Sequence, residues 1–256
     1  MTPTARRARG KPPLAAAPAA RNATAARVPA IDVLRGLAIV AMILYHFAFD
    51  LAYFHVTASN FYRDPFWLHA RTLILSSFLL LAGVSLVLAQ RSESGRARFW
   101  RHVAMIAACA VAVSATSYLA FPRSYIWFGV LHAIALSSIL IRPLAGRPRI
   151  ALLSGIAMIV LGNAVTSTWF DQRALGWLGF MTAKPITEDY VPLFPWMGVM
   201  LVGIAAGHAL IRNDFRAVAS FARLPRLLAW LGRHSLAVYM LHQPILIGML
   251  YLAVRR

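Results

Sequence analysis

Seven apolar runs of bilayer-crossing scale dominate this chain and leave it few folds to choose from. A hydrocarbon core about 30 Å thick takes roughly 20 helical residues. The runs lie at 33–54, 68–90, 102–120, 125–142, 149–167, 192–211 and 235–254, the fourth and fifth being short. They come as continuous blocks rather than amphipathic stripes, which points to lipid and not to a large soluble core. The expected fold is therefore all-α, a polytopic membrane helix bundle of about seven transmembrane helices. Composition agrees: 60% of residues are hydrophobic and 13% charged, against about 25% charged in soluble domains.

The net charge of +18 would suggest nucleic acid in a soluble protein. Here the arginines sit between the apolar blocks, where they set topology and meet anionic lipid, so membrane lipid is the expected partner and nucleic acid is not. Arg91, Arg96, Arg98 and Arg101 fill the second connection; Arg142, Arg147 and Arg149 the fourth; Arg212, Arg216, Arg223, Arg226 and Arg233 the sixth. The alternate connections carry Arg63, Arg123, Arg173 and Lys184 mixed with Asp64, Asp171, Glu188 and Asp189. That alternation places the N-terminus in the cytoplasm and the C-terminus outside, with Arg255 and Arg256 a mild exception. The expected location is the cell inner membrane. Residues 1–29 are rich in Ala, Pro and Arg, lack an apolar signal region, and read as a disordered basic tail ahead of one membrane domain, 30–256. The single Cys109 lies within a span and says nothing of redox context.

The first span, IDVLRGLAIVAMILYHFAFDL, carries ionisable groups. At about 100° per residue, Asp32, Arg35, His46 and Asp50 share a stripe about 60° wide. Each such group costs at least ~2.5–3.5 kcal/mol in a spanning helix, so together they are expected to face one polar cavity reached from both sides. With about 1.5 Å rise per residue, His46 lies about 16 Å beyond Arg35, in the outer half of the span, with Asp50 about a turn further. The plainer alternative is two structural pairs, Asp32 with Arg35 and His46 with Asp50. His132 and His242 fall near mid-membrane in the fourth and seventh spans, as packing residues or as helpers, and Pro244 follows His242. His69 and Arg71 open the second span on the outer side, where they reach headgroups or a substrate. His102, His208 and His234 read as boundary residues.

No Walker or Rossmann glycine motif, GxSxG elbow or zinc spacing such as HExxH occurs, and no metal is expected. A histidine beside a carboxylate in a membrane cavity is the usual equipment for general base catalysis. His46 is the candidate base, and Asp50 either orients its imidazole or helps bind the acceptor. His132 and His242 would orient the acyl group or stabilise its oxyanion. An arginine-lined inner mouth suits a phosphate-bearing acyl donor: Arg35 beside Asp32, helped by Arg101 or Arg233, would meet the phosphates.

The segments RGLAIVAMILYHFAFDL, FLLLAGVSL (78–86), WFGVLHAIALSS (127–138), VPLFPWMGVMLVGIAAGH (191–208) and LGRHSLAVYMLHQPIL (231–246) together resemble a bacterial membrane family. That family is similar to the catalytic domain of heparan-alpha-glucosaminide N-acetyltransferase. The resemblance runs from about Ala30 to the C-terminus. The spacing from Arg35 to His46 also resembles the acyltransferase-three membrane family, where an arginine and a histidine so placed serve acyl transfer. The resemblance implies a transmembrane N- or O-acyltransferase that takes acetyl or another acyl group from cytosolic acyl-CoA, with no tightly bound cofactor. The acceptor would lie on the outer side, a glycan amine or hydroxyl among the options, and a homo-oligomer is compatible. The chain departs from both families in having fewer spans. In the lysosomal enzyme the catalytic histidine follows the first span, where this chain offers His55 and His69. Two other classes stay open from the residues alone: a small-molecule or proton-coupled transporter, and a haem or quinone redox protein using His46, His132 and His242.

Overall fold

The computed structural model describes residues 28–90 and 95–254. The tail expected over 1–29 therefore lies outside the described residues up to position 27, as do Arg91, Arg255 and Arg256. The described residues form α1 (Pro29–Tyr53), α2 (Pro65–Gln90), α3 (Gly95–Ala120), α4 (Val130–Ile141), α5 (Pro148–Ala164), a single turn α6 (Arg173–Gly176), α7 (Leu193–Arg212), α8 (Arg226–Arg233) and α9 (Ser235–Val254). The fold is all-α, with no strand among the described residues beyond an isolated bridge between Phe128 and Tyr190.

Prolines open several of these helices. Pro29 and Pro148 occupy the first turns of α1 and α5, where a fixed φ suits the helix and the missing N–H costs nothing. At α2, the Asp64 carboxylate accepts the Phe66 N–H at 2.9 Å, capping a turn that starts at Pro65.

Five helices, α1, α2, α3, α7 and α9, are long and apolar enough to cross a membrane, while α4 and α5 are shorter. The boundaries of α1, α2, α7 and α9 fall close to the expected runs. α3 starts at Gly95 rather than 102, because RARFWRH continues the helix with arginines whose stems stay compatible with an apolar face. α4 starts at Val130 rather than 125. Residues 125–129 are non-helical and pair instead with the 187–191 segment: Thr187 Oγ1 donates to Tyr125 O at 2.8 Å, and Val191 N–H to Phe128 O at 3.2 Å. Non-helical backbone is tolerated at such depth where protein satisfies it.

α7 is the central strut, packed on α2, α4 and α5. Close approach is possible because glycines face backbone there. A Cβ on Gly83 would overlap the Met200 carbonyl, and one on Gly203 the Leu80 carbonyl; Gly155 and Gly198 meet in the same way between α5 and α7. In lipid, where no hydrophobic drive holds helices together, such contacts carry the packing. Val84, Met200 and Ile204 are wholly buried in this seam. Outward rows, Leu73, Leu119, Leu153 and Leu252 among them, are exposed as lipid-facing positions are.

The connection before α9 holds a helix that sequence reading passed over. α8, RLLAWLGR, exposes Leu227 and Trp230 and lies across the start of α1, with Gly36 against the Leu228 carbonyl and Gly232 against that of Asp32. α1, α8 and α9 thus form one unit, joined to the α2–α7–α5 core by α1–α2 contacts. One end of the bundle carries Arg96, Arg101, Arg142, Arg149, Arg226 and Arg233 and is here the basic end; the other is rimmed by aromatic side chains.

Candidate active site

The ionisable stripe of α1 turns toward α2, α8 and α9. At the basic end, Arg35 donates from Nη2 to Ser85 Oγ at 2.6 Å and from Nη1 to Gly232 O at 3.4 Å, and stands 3.6 Å from Asp32. Ser85 Oγ itself donates to Leu81 O at 2.6 Å, so its lone pairs are free for the guanidinium. His102 of α3 lies within electrostatic reach of Arg35. Arg233 follows Gly232 but is exposed, as is Arg101 on α3.

Three turns further along α1, the His46 ring meets the His242 ring of α9 at 5.0 Å between centroids. His242 is 8% exposed, and its Nδ1 lies 2.6 Å from Tyr239 O. A carbonyl only accepts, so Nδ1 carries the proton and Nε2 is the lone-pair nitrogen. Asp50, 2% exposed, accepts from Gln243 Nε2 at 2.7 Å. The pairing expected between His46 and Asp50 does not form; Asp50 is turned to the α9 amide instead. Asp50 Oδ2, His242 Nε2 and Gln243 Oε1 are buried without a hydrogen-bond partner among the described residues. Buried polar atoms are normally satisfied, and three within one turn of one seam is a concentration that calls for a ligand. Tyr45 packs edge-on against His46, Phe61 and Trp67, and Trp67 stacks on Phe61 at 4.1 Å, closing the aromatic side.

His132 is occupied elsewhere. Its Nδ1 accepts the Gly129 N–H at 3.3 Å, and its Nε2 stands 3.2 Å from Ser114 Oγ. Ser114 spends its one hydrogen on Ile126 O at 2.6 Å, so His132 Nε2–H must be the donor to Ser114. Nδ1 is thus engaged in capping α4 and Nε2 in tying α4 to α3, both structural roles.

Beside that cap sits Asp189, a residue sequence reading used only for charge balance. Its Oδ2 accepts the Val130 N–H at 2.7 Å, at the positive end of α4. Burial pushes its carboxyl above the usual carboxylate range, opposed by Val130 N–H, Lys184 and Arg71. The Lys184 amine is lowered, first by burial and then by Arg71. Asp189 also lies within electrostatic reach of Tyr239, the residue whose carbonyl orients His242. Arg71 therefore belongs to a charged group with Lys184 and Asp189 at the aromatic end, although it is exposed. His69 stays apart, exposed and bonded through Nδ1 to Pro65 O at 2.6 Å. Nothing in the sequence marks Asp189, because Val130 and Arg71 lie on other helices far from it in the chain.

The raised Asp189 carboxyl gives a test. The unfolded chain loses this proton at lower pH than the native protein, so stability falls as pH rises from the ordinary carboxylate range to the native value. Asp189→Asn is expected to flatten that part of a melting-temperature profile in detergent; an unaltered slope would remove Asp189 as its source.

Among the described residues, a cavity opens at each end of the bundle, and neither of these is lined by Asp32, Arg35, His46 or Asp50. One, about 390 Å³, lies at the basic end beside Gln90, Arg96 and Arg142. The other, about 350 Å³, lies at the aromatic end, walled by Phe49, Tyr53, His55, Asn60, Phe61 and Tyr62, one helix position from Asp50. The stripe itself packs against α2 and α8 at Arg35 and against α9 at His46 and Asp50.

Residues 27–244 match the family model for heparan-alpha-glucosaminide N-acetyltransferase, catalytic. The chain belongs to that family. The matched stretch starts ahead of α1 and reaches Pro244, so the Arg35 contacts, the His46–His242 pair, Asp50 and Asp189 all lie within the heparan-alpha-glucosaminide N-acetyltransferase catalytic region. No curated protein and no solved structure matches the chain. Family and apolar helices together make it a multi-pass membrane protein of transmembrane acyltransferase type.

Proposed function

We propose that this chain moves an acetyl or other acyl group from cytosolic acyl-CoA to an acceptor amine or hydroxyl, a glycan's among them, at the opposite face of the cell inner membrane. The basic end would face the cytosol, as arginine-rich connections do. The carrying observation is the buried α1–α9 seam, where the His46–His242 pair lies within a turn of Asp50 and Gln243 and three polar atoms point inward without protein partners.

In this reading His242 Nε2, its tautomer set by the Tyr239 carbonyl, takes the proton of the acceptor as its nitrogen or oxygen attacks the thioester carbonyl. His46 donates to the oxyanion that forms. The C–S bond then breaks, the acyl group leaves on the acceptor, and the thiolate takes up a proton. This exchanges the two histidines' roles relative to the sequence expectation, because His242 and not His46 has an orienting hydrogen bond. Asp50 Oδ2 accepts from the acceptor's N–H or O–H, and the pocket around Phe49, Tyr53 and Asn60 admits it. Arg35 meets the donor's phosphates, with Arg233 next to its Gly232 partner and Arg101 also at the basic end.

The direct test incubates purified protein with radiolabelled acetyl-CoA and follows saturable binding and slow thioester hydrolysis. Absence of both would sink the reading. For the donor side, Arg35→Lys is expected to weaken acetyl-CoA binding about tenfold, because lysine cannot span Ser85, Gly232 and a phosphate with one planar group. Full affinity in that variant would confine Arg35 to anchoring α1 against α8.

A further inference from the structure

Between Gly95 and Phe170 the chain has no aspartate or glutamate, while Arg96, Arg98, Arg101, Arg142, Arg147 and Arg149 crowd its basic end. Two of these define a built site. Arg142, at the end of α4, lies over the Phe99 ring at 4.4 Å and reaches Trp100 at 5.7 Å. A guanidinium held flat on an aromatic face keeps its in-plane N–H donors for a second partner. Arg96 stands across from it on the first turn of α3, a turn without an acidic residue and with its amide dipole toward the same space. Between them is the cavity of about 390 Å³, within the ordinary range for a small-molecule site, roughly 300–1,000 Å³.

The floor decides what kind of anion fits. Leu86, Ala89 and Phe99 make one side apolar, and Trp100 is exposed beside it in the manner of an interfacial anchor. The cavity lies between α2 and α3 where both leave the apolar zone, the level at which lipid phosphates sit. We infer that this cleft binds the phosphate headgroup of an anionic phospholipid, with Arg96 and Arg142 on the phosphate and the apolar floor under the glycerol and the first acyl carbons. Basic pockets between membrane helices take such headgroups on general electrostatic grounds. The site is separate from the histidine seam and does not depend on the acyl-transfer reading.

The test is native mass spectrometry of the full chain in detergent, titrated with dioleoyl phosphatidylglycerol or dioleoyl phosphatidylcholine. Phosphatidylglycerol is expected to bind first and tightest. Arg96→Gln and Arg142→Gln should each weaken it roughly fivefold, at about 1 kcal/mol per arginine near the membrane surface. Arg149→Gln, outside the cleft, should leave it unchanged, and phosphatidylcholine adducts should persist in every variant as the mark of folded protein. Arg96 is exposed, so its variant reads the site even if loss of the Arg142 stacking unfolds α3. Equal phosphatidylglycerol occupancy in Arg96→Gln and wild type would overturn the proposal. Displacement of the lipid by inorganic phosphate or coenzyme A at comparable concentration would overturn it too, by making the cleft a site for soluble phosphate esters.

Discussion

His242→Ala is expected to lower acyl transfer by about 10²–10⁴-fold, the usual loss on removing a general base, while leaving acetyl-CoA binding within a fewfold of wild type. His46→Ala is expected to fall in the same range, since removing one oxyanion donor costs about 10²–10³-fold. The double variant should be little worse than the poorer single one, as groups acting as a unit are not additive. The two roles separate on the pH–rate profile: loss of His242 should abolish the acid-side fall in turnover that protonation of a general base causes, and His46→Gln, which keeps a donor, should recover part of the rate. His132→Ala, by contrast, is expected to destabilise α4 and lower yield rather than turnover per folded molecule, because one of its ring nitrogens serves the cap and the other ties α4 to Ser114 of α3. Near-normal transfer in both His46→Ala and His242→Ala, with His55→Ala inactive, would move catalysis to the loop after α1.

The largest stability effect is expected at Gly203. Its missing side chain lets α7 lie against the Leu80 carbonyl, and Gly83 does the same for α2 against Met200. Gly203→Val would force the two helices apart along the seam that buries Val84, Met200 and Ile204. Overpacking of this kind costs typically about 1–3 kcal/mol and more where backbone must move, so folded protein should fall several-fold in membranes and the melting temperature in detergent should drop. Gly248, in α9, has open space where a Cβ would go. Gly248→Ala should therefore be neutral or stabilising, by up to about 1 kcal/mol. Equal melting temperatures for the two variants would mean that the α2–α7 approach is not what holds the core.

What the sequence shows and hides follows from the range of each interaction. α9 appears at its expected bounds because a long apolar block in lipid has one solution, a helix. The stripe on α1 is legible because helical periodicity is local. Its partners are not: Arg35 reaches Gly232 across 197 positions, and Gln243 reaches Asp50 across 193. The aromatic run 125–129 looks like helix by hydropathy, yet Gly129 and the pairing with 187–191 delay α4 to Val130. α8 is hidden because eight residues with arginine at both ends blend into the charge of their connection. Asp189 is hidden for the opposite reason, since its carboxylate is one of several in a loop until the fold brings Val130 and Arg71 to it.

The lock between α1 and α8–α9 has a consequence for how the protein is made. The ribosome delivers α1 first, with an aspartate, an arginine, a histidine and a second aspartate in a helix that must enter the bilayer. The Gly232 carbonyl, His242 and Gln243 that receive those groups come some two hundred residues later. At about 5–20 residues per second, the first helix waits roughly ten seconds or more for its counterparts, at a cost of several kcal/mol in lipid. It has to be held meanwhile by the insertion machinery or by α2, whose Ser85 is the first partner of Arg35 outside α1 to be synthesised. Nascent chains arrested before position 226 should therefore retain α1 beside the translocon, releasing it only once α8 and α9 have emerged.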